Sequence, residues 1–163
     1  MNIQIYCDGS CLGNGSNGAN GGYGAIVSTP HGTVELAQAY SNTTNNRMEL
    51  RGCIAALKTL PQGSRGTVYS DSKYLIDAFN QGWIENWKRI GWKNASNRPV
   101  ANQDLWRELL IVSEPHSISW MWVKGHADNP MNNHADALAT GAINCGVLLP
   151  DVGNTVCTVV NRY

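Results

Sequence analysis

The sequence shows first the alternating hydrophobic pattern of strands and then the pattern of a helix, and this order restricts the fold more than any other feature. Apolar and polar residues alternate over residues 2–7, which predicts a strand. Short segments at 22–27 and 34–39, joined by the turn TPHGT, predict two more strands and an antiparallel meander. The period then becomes helical over residues 50–57, and Pro61 begins the stretch that stops this helix.

Strands and helices alternate in the rest of the chain. Because a helix lies between the third and fourth strands, the fourth can pair parallel with the first through a right-handed crossover. Asp8 and Asp71 follow these two strands and would leave the same sheet edge, on strands about 4.8 Å apart, where open α/β sheets bind ligands. The order βββ-α-β-α-α-β-α therefore predicts an α/β fold. Its later elements are a strand at 67–70, a helix that Ser72 caps and that ends at Asn80, a helix at 102–112, a strand at 118–123 and a helix at 131–143.

Length and charge are compatible with one domain. A chain of 163 residues can bury a core of its own. Twelve Lys and Arg balance twelve Asp and Glu, and this neutrality alone does not indicate a nucleic-acid binder. The distribution is uneven, however, because four cations lie within eleven residues that hold no acid: Lys88, Arg89, Lys93 and Arg98.

The cysteines and the hydropathy pattern indicate a cytoplasmic protein. The five cysteines are an odd number and show neither a CxxC pair nor a zinc-binding spacing. The sequence shows no signal peptide and no apolar run of about eighteen residues. We therefore expect a reducing cytoplasm and no membrane segment.

The segment Gly13 to Gly18 spells GxGxxG after a strand, as dinucleotide-binding loops do. That interpretation requires a helix to begin there, so that its N-terminal amides hold pyrophosphate. The segment is instead followed by GGYGAIV, which predicts a strand. We therefore expect a hairpin connection, or a place where the backbone approaches a ligand closely.

Four acids each have an ordinary structural explanation. Asp8 begins an Asp-Gly turn pair, and Glu49 stands three residues after Asn46, as in a capping box. Asp71 fits a turn, and Asp136 fits a solvated helix face. Against these separate explanations stands the combined pattern of their surroundings, YCDGSCLGN, TTNNRMEL, YSDSKY and WVKGHADNPMNNHADALA.

With these four motifs and the segment GWIENWKRIGWK, the chain from about Ile3 to Thr140 resembles a bacterial-type class I ribonuclease H. The resemblance implies a five-stranded mixed sheet, made of a three-strand antiparallel meander plus two parallel strands, with helices on both faces. It places the catalytic domain at residues 1–143 and leaves residues 144–163 as a tail of uncertain structure. The implied activity is hydrolysis of the RNA strand of RNA/DNA hybrids, which gives 5′-phosphate and 3′-hydroxyl ends.

The resemblance also implies a metal centre. Four carboxylates would bind two Mg²⁺ ions, with Mn²⁺ as a substitute: Asp8, Glu49, Asp71 and Asp136. Mg²⁺ prefers such hard oxygen ligands, and two ions can activate water and stabilise a leaving oxygen. A lone histidine is ordinarily surface or core filler, but His126 matches the family's mobile loop in VKGHA. Its implied role is to handle a proton or to assist product release.

Substrate contacts follow from the same resemblance. Because 2′-hydroxyls distinguish RNA from DNA, Cys11 and Asn14 are implied to border the RNA strand, with Glu49 accepting from a 2′-hydroxyl. The other implied contacts are Thr44 at a DNA phosphate, Asn45 and Asn46 in the minor groove, Tyr74, Trp83 and Trp87 along the DNA sugars, and a basic protrusion that contains Lys88, Arg89, Trp92 and Lys93. The ordinary alternatives are packing for the aromatic residues and a solvated charge run for the protrusion. Trp106, Trp120 and Trp122 are predicted to be core or partly buried.

The chain departs from the family pattern at four places. NASN at 94–97 occupies positions that are often lysines, so we expect a weakened protrusion. A longer Gly/Asn loop at 15–20 can shift Asn14, and Asn42 lies near the implied phosphate pocket. Asp128, two residues after His126, could disturb the loop or the electrostatics of the metal centre.

Two alternative functions stay open at this point. One is a hybrid-binding module without catalysis, which need not keep all four acids. The other is a different nuclease of the same fold, such as an integrase-like enzyme, which would lack the WK-rich protrusion.

Residues 147–149 and TVCTVV at 155–160 are too apolar for a solvated tail. We therefore expect them to pack on the domain of a monomer, with self-association as the alternative.

Overall fold

The computed structural model describes residues 2–15, 19–125 and 129–153. Within these residues, six strands and five α-helices follow one another, and a 3₁₀ turn at Leu12–Gly15 follows the first strand. The strands are β1 (Asn2–Cys11), β2 (Ala19–Thr29), β3 (Gly32–Thr43), β4 (Arg65–Ser70), β5 (Ser117–Trp122) and β6 (Leu148–Pro150). The helices are α1 (Asn45–Lys58), α2 (Lys73–Asn80), α3 (Trp83–Arg89), α4 (Gln103–Ser113) and α5 (Pro130–Cys145).

The six strands form one mixed sheet in the order β5-β4-β1-β2-β3-β6. The predicted meander of β1, β2 and β3 is confirmed, and so is the parallel pairing of β4 with β1. β5 also runs parallel to β4. The prediction of five strands is wrong by one, because β6 pairs parallel with β3. A strand of three residues is too short to show a period in the sequence. The helix α3, inside the Trp-rich basic segment, was likewise not predicted.

Helices cover both faces of the sheet, and the side chains of β1 alternate between them. Ile5 and Cys7 pack in the larger core cluster together with residues of α1. Tyr6 belongs to a smaller cluster with Ala135 of α5. Because successive side chains of a strand point to opposite faces, Asp8 is directed to the same face as Tyr6, toward α5.

Two glycines allow the helices to approach the sheet closely beside Asp8. A Cβ atom at Gly9 would lie 2.6 Å from the backbone nitrogen of Glu49 on α1. A Cβ atom at Gly24, the residue paired with Asp8 on β2, would overlap the carbonyl oxygen of Ala135 on α5. Because glycine has no Cβ atom, both helices can lie within reach of Asp8 at these two positions.

The segment after α5 joins the sheet and then places one side chain, that of Asp151, in the interior. β6 extends the sheet beside β3, and the backbone N–H of Asp151 donates to the carbonyl of Ser41 at 3.1 Å. Asp151 is only 2% exposed. The packing expected for residues 147–149 is found only at Leu148, which is half-buried, and is wrong for Val147 and Leu149, which are 69% and 45% exposed. The packing expected for TVCTVV concerns residues outside the described part of the chain. No described helix is both long and apolar enough to cross a membrane.

Candidate active site

Three carboxylates from separate elements meet at one edge of the sheet. Asp8 lies on β1, Glu49 on the second turn of α1 and Asp71 directly after β4. One oxygen atom from each lies within 4.8 Å of the others. Asp136 of α5 lines the same cleft, which has a volume of about 170 Å³, and hydrogen-bonds to Asp8. We call these four residues the cleft acids.

The sequence pattern predicted Asp8 at the end of a strand, but Asp8 lies inside β1. β1 stays paired with β2 as far as Cys11, whereas its pairing with β4 ends at Tyr6 and Tyr69. Beyond that point one side of β1 is free of β4, and this opens the cleft at Asp8. The turn interpretation of Asp8 is wrong, because the chain continues as a strand through Gly9.

Glu49 is not part of a capping box. The residue that caps α1 is Thr44, whose hydroxyl accepts from the backbone N–H of Arg47 at 3.2 Å, while Asn46 already lies inside the helix. The alternative explanation for Glu49 is therefore wrong. Its side chain is 8% exposed and lines the cleft.

Burial and neighbouring negative charge raise the pKa of two of the cleft acids, Asp8 and Glu49. Burial, followed by the charges of Asp71 and Asp136, raises the pKa of Asp8 to about 8. Burial and then the charge of Asp8 hold the pKa of Glu49 well above its ordinary value. Among the described residues, no ion pair includes a cleft acid. Because repulsion is not offset by a described cation, the cleft favours either protons or an added cation.

Two side chains that the sequence analysis did not assign to the site hold Asp71. The Trp122 indole N–H donates to the Asp71 carbonyl at 3.0 Å, and Asn132 Nδ2 donates to Asp71 Oδ2 at 3.5 Å. Asn132 lines the cleft and is 2% exposed. It stands four residues before Asp136, one turn earlier on the same helix face, and this spacing could have identified it. The prediction that Trp122 is core or partly buried is wrong, because Trp122 is 42% exposed.

The residues implied to border the RNA strand are described only in part. Cys11 ends β1, is half-buried, and its thiol lies 3.9 Å from the carbonyl oxygen of Thr43. Asn14 lies in the 3₁₀ turn after β1. No described α-helix starts there, which agrees with rejecting a dinucleotide loop. His126 and Asp128 lie outside the described residues.

The junction between β3 and α1 presents the implied minor-groove residues. Asn45 and Asn46 form the first turn of α1 and are exposed, while Thr44 is half-buried because its hydroxyl caps the helix. Just before them, Asn42 adopts a positive φ of 55°. Asparagine tolerates this left-handed conformation better than most residues.

The aromatic residues implied in the DNA channel divide into surface and core. Trp83 is 37% exposed, whereas Trp87 is half-buried with its ring centroid 5.4 Å from that of Trp106. The Tyr74 hydroxyl accepts from Trp106 Nε1 at 3.0 Å. Trp92 is only 8% exposed and belongs to the larger core cluster, so its ring packs the protrusion onto the domain and does not face a ligand.

The cations of the protrusion are on the surface. Lys88, Arg89 and Lys93 are all exposed. Lys88 lies 3.5 Å from Glu85, and Arg89 donates to Asn86 at 2.6 Å. Both contacts are local and solvent-exposed, so they neutralise the two cations only weakly and leave them able to attract an anionic partner.

Comparison with known proteins identifies the family. The model of the RNase H family matches residues 1–144. A protein named Ribonuclease H from Moorella thermoacetica is 49% identical over 141 residues, which cover 86% of this chain and 91% of the relative. Another of that name, from Pseudoalteromonas atlantica, is 44% identical over 151 residues, or 93% and 96% of the two chains.

Solved structures agree with these sequence matches. LC9-RNase H1, described as a type 1 RNase H with the type 2 active-site motif, superposes with a TM-score of 0.79 at 33% identity. The match covers 90% of this chain and 74% of that one. LC11-RNase H1, solved in complex with an RNA/DNA hybrid, gives a TM-score of 0.65 over 88% of this chain and 98% of that one. At 20% identity this second likeness supports the fold.

Proposed function

Since the chain belongs to the ribonuclease H family, we propose that it hydrolyses the RNA strand of RNA/DNA hybrids at the cleft acids. The observation that carries this proposal is the convergence of Asp8, Glu49 and Asp71 within 4.8 Å, with Asp136 lining the same cleft. The acids come from separate parts of the chain, and burial followed by the neighbouring acids raises the pKa of Asp8 and Glu49, which is typical of a functional site.

The cleft fits divalent metal ions, and we assign Mg²⁺ to it, with Mn²⁺ as a substitute. The ligand atoms that the described side chains offer to a metal in this cleft are carboxylate and amide oxygens, which Mg²⁺ prefers. Oε2 of Glu49 and Oδ1 of Asn132 are buried and have no hydrogen-bond partner among the described residues. Asp8, Glu49, Asp71 and Asp136 would hold the ions. Burial of unpartnered acceptors costs free energy that a cation offsets.

The chemistry proposed for the cleft is hydrolysis that leaves 5′-phosphate and 3′-hydroxyl ends. Two bound ions would activate the attacking water and stabilise the leaving 3′-oxygen. Asn132 and Trp122 hold Asp71 in place, and the Gly9 N–H donates to Asp8 Oδ1 at 3.0 Å. We assign to His126 the transfer of a proton, a role that suits an imidazole near neutral pH.

Recognition of the hybrid is proposed to use both sides of the cleft. Cys11, Asn14 and Glu49 would contact the RNA strand, where 2′-hydroxyls distinguish RNA from DNA. The DNA strand would contact the junction and the protrusion, through Thr44, Asn45, Asn46, Tyr74, Trp83, Trp87, Lys88, Arg89 and Lys93. The buried Trp92 is removed from this set.

The direct test is incubation of labelled RNA/DNA hybrid with and without Mg²⁺. We expect cleavage of the RNA strand alone, only with the metal, and products with 5′-phosphate ends. DNA duplex and single-stranded RNA of the same sequence serve as controls. Comparable cleavage of either control would contradict the proposed substrate. Binding of the hybrid without any cleavage in Mg²⁺ would favour a non-catalytic module.

We further propose that residues 1–143 form the catalytic domain of a cytoplasmic monomer. This range holds all four cleft acids and the protrusion. The free thiols of Cys7, Cys11, Cys53 and Cys145 support a reducing compartment. Gel filtration with light scattering would test the monomer.

A further inference from the structure

Asp151 lies at the centre of a buried ionic network. Its carboxylate has no exposed surface and accepts five hydrogen bonds. The donors are Thr43 Oγ1 at 2.6 Å, Arg47 Nε and Nη2 at 2.8 and 3.1 Å, and Arg51 Nη2 and Nε at 2.6 and 3.1 Å. Burial alone would raise the pKa of Asp151, but bonds from Arg47, Thr43 and Arg51 hold it below its ordinary value.

The network extends from Arg47 to α4. The Arg47 side chain is 1% exposed, and its Nη1 and Nη2 donate to the two oxygens of Asp104 at 3.0 and 2.8 Å. Its Nη1 also donates to Asn102 Oδ1 at 3.3 Å. The planar guanidinium with its fixed donor directions thus joins Asp151 and Asp104, and this ties the first turn of α1 to α4.

The donors to Asp151 bracket the junction between β3 and α1. Thr43 is the last residue of β3, and Arg47 lies in the first turn of α1. Between them stand only Thr44, Asn45 and Asn46. One carboxylate therefore fixes the chain immediately before and immediately after the three residues that the proposed function places on the DNA strand.

Asp151 reaches this position because β6 carries it there. It follows β6 directly and lies beyond residues 1–144, the part of the chain that the family model matches. Because the Asp151 side chain is fully buried, it cannot contact a ligand at the surface. The cleft acids are not among its hydrogen-bond partners.

We propose that Asp151 is a positioning residue for hybrid binding, which fixes the Thr44–Asn46 turn through Thr43, Arg47 and Arg51. The proposal rests on the proposed function, because the turn is assigned to the DNA strand there. Without Asp151, the turn would lose its fixed geometry and bind the minor groove more weakly, while the cleft acids would keep their arrangement.

The test compares three variants of the full chain: Asp151→Asn, Asp104→Asn and, as a control, Glu108→Gln. Glu108 is an exposed acid that pairs with Lys58 of α1 at 2.8 Å, so the control removes an acid between the same two helices as Asp104. Hybrid affinity is measured by titration in chelator, at a temperature where circular dichroism shows each variant fully folded. Mg²⁺ affinity is measured in parallel by calorimetry.

We expect Asp151→Asn to weaken hybrid binding about tenfold while Mg²⁺ affinity stays within about twofold of the wild type. Asp104→Asn, which leaves Asp151 in place, should weaken hybrid binding less, and it replaces Asp151→Asn if that variant does not fold. Glu108→Gln should change neither. Unchanged hybrid affinity in folded Asp151→Asn, or in folded Asp104→Asn where that variant is the substitute, would overturn the proposal. A wild type that binds no hybrid would instead contradict the proposed function.

Discussion

Two groups of acids contact the same helix, and the fold treats them in opposite ways. Around Arg47 and Arg51, the carboxylate of Asp151 is fully buried and neutralised, and its pKa is held low. Between these two arginines on α1, Glu49 faces other acids, and burial followed by the charge of Asp8 raises its pKa. The first group is complete without a ligand, whereas the second is complete only with added positive charge. This difference separates a structural acid cluster from a catalytic one.

The largest expected effect concerns the cleft acids, which form no ion pair within the described part of the chain. Asp71→Asn keeps the shape of the side chain but removes a negative ligand, so the metal ions would be misplaced. Ions in such sites stabilise the transition state by several kcal/mol. At about 1.4 kcal/mol per factor of ten, we expect cleavage to fall on the order of a thousandfold or more. Single-turnover cleavage of the hybrid in Mg²⁺ measures this loss.

Hybrid binding by the same variant should survive. In chelator the cleft acids repel the phosphates, so neutralising Asp71 should leave affinity unchanged or strengthen it. Glu108→Gln, which removes an exposed and paired acid, should keep full cleavage. Near-normal cleavage by Asp71→Asn would remove Asp71 from the catalytic set and with it the two-metal account.

A smaller effect is expected from the protrusion, whose cations are exposed. Changing Lys88, Arg89 and Lys93 together to Ala should reduce the slope of log affinity against log salt concentration by about 2, since each phosphate contact contributes roughly 0.9 for B-form duplex. The control is the pair Lys58→Ala and Arg65→Ala, exposed cations away from the protrusion. An unchanged slope in the triple variant would show that the protrusion does not bind the hybrid.

The four acids could be predicted because short motifs surround them, and the sheet edge could be predicted because strand order follows from periodicity. Burial was harder to predict. Trp92 lies among cations in the sequence, but its contacts with Trp87 and Arg107 place it in the core. No local pattern distinguishes a tryptophan that covers the surface from one that anchors a loop.

The ionic network could not be predicted from the sequence. Arg51 and Asp151 are 100 positions apart, and β6, which brings them together, is too short to show a period. Asn132 is different, because its spacing from Asp136 placed it on the same helix face as a proposed metal ligand. Ion pairs between residues that are far apart in the sequence can therefore be identified only from the structure.

The most direct test of the contrast between the two groups is thermal unfolding in chelator between pH 5 and pH 8. The pKa of Asp8 is raised to about 8 in the fold, against about 3.9 in an unfolded chain. The folded protein binds more protons between these values, so its stability should fall as the pH rises. The lowered pKa of Asp151 acts oppositely, and its stabilisation is lost only in more acidic solution, below about pH 4.

We expect the Tm of the wild type to fall from pH 5 to pH 8 in chelator, and Mg²⁺ at pH 8 to raise it again. Asp8→Asn should exceed the wild type by about 5 °C at pH 8 and approach it at pH 5. Asp151→Asn should lie below the wild type across the whole range. A wild-type Tm that rises with pH in chelator, together with an Asp8→Asn variant less stable than the wild type at pH 8, would contradict the claim that no described cation neutralises the cleft acids.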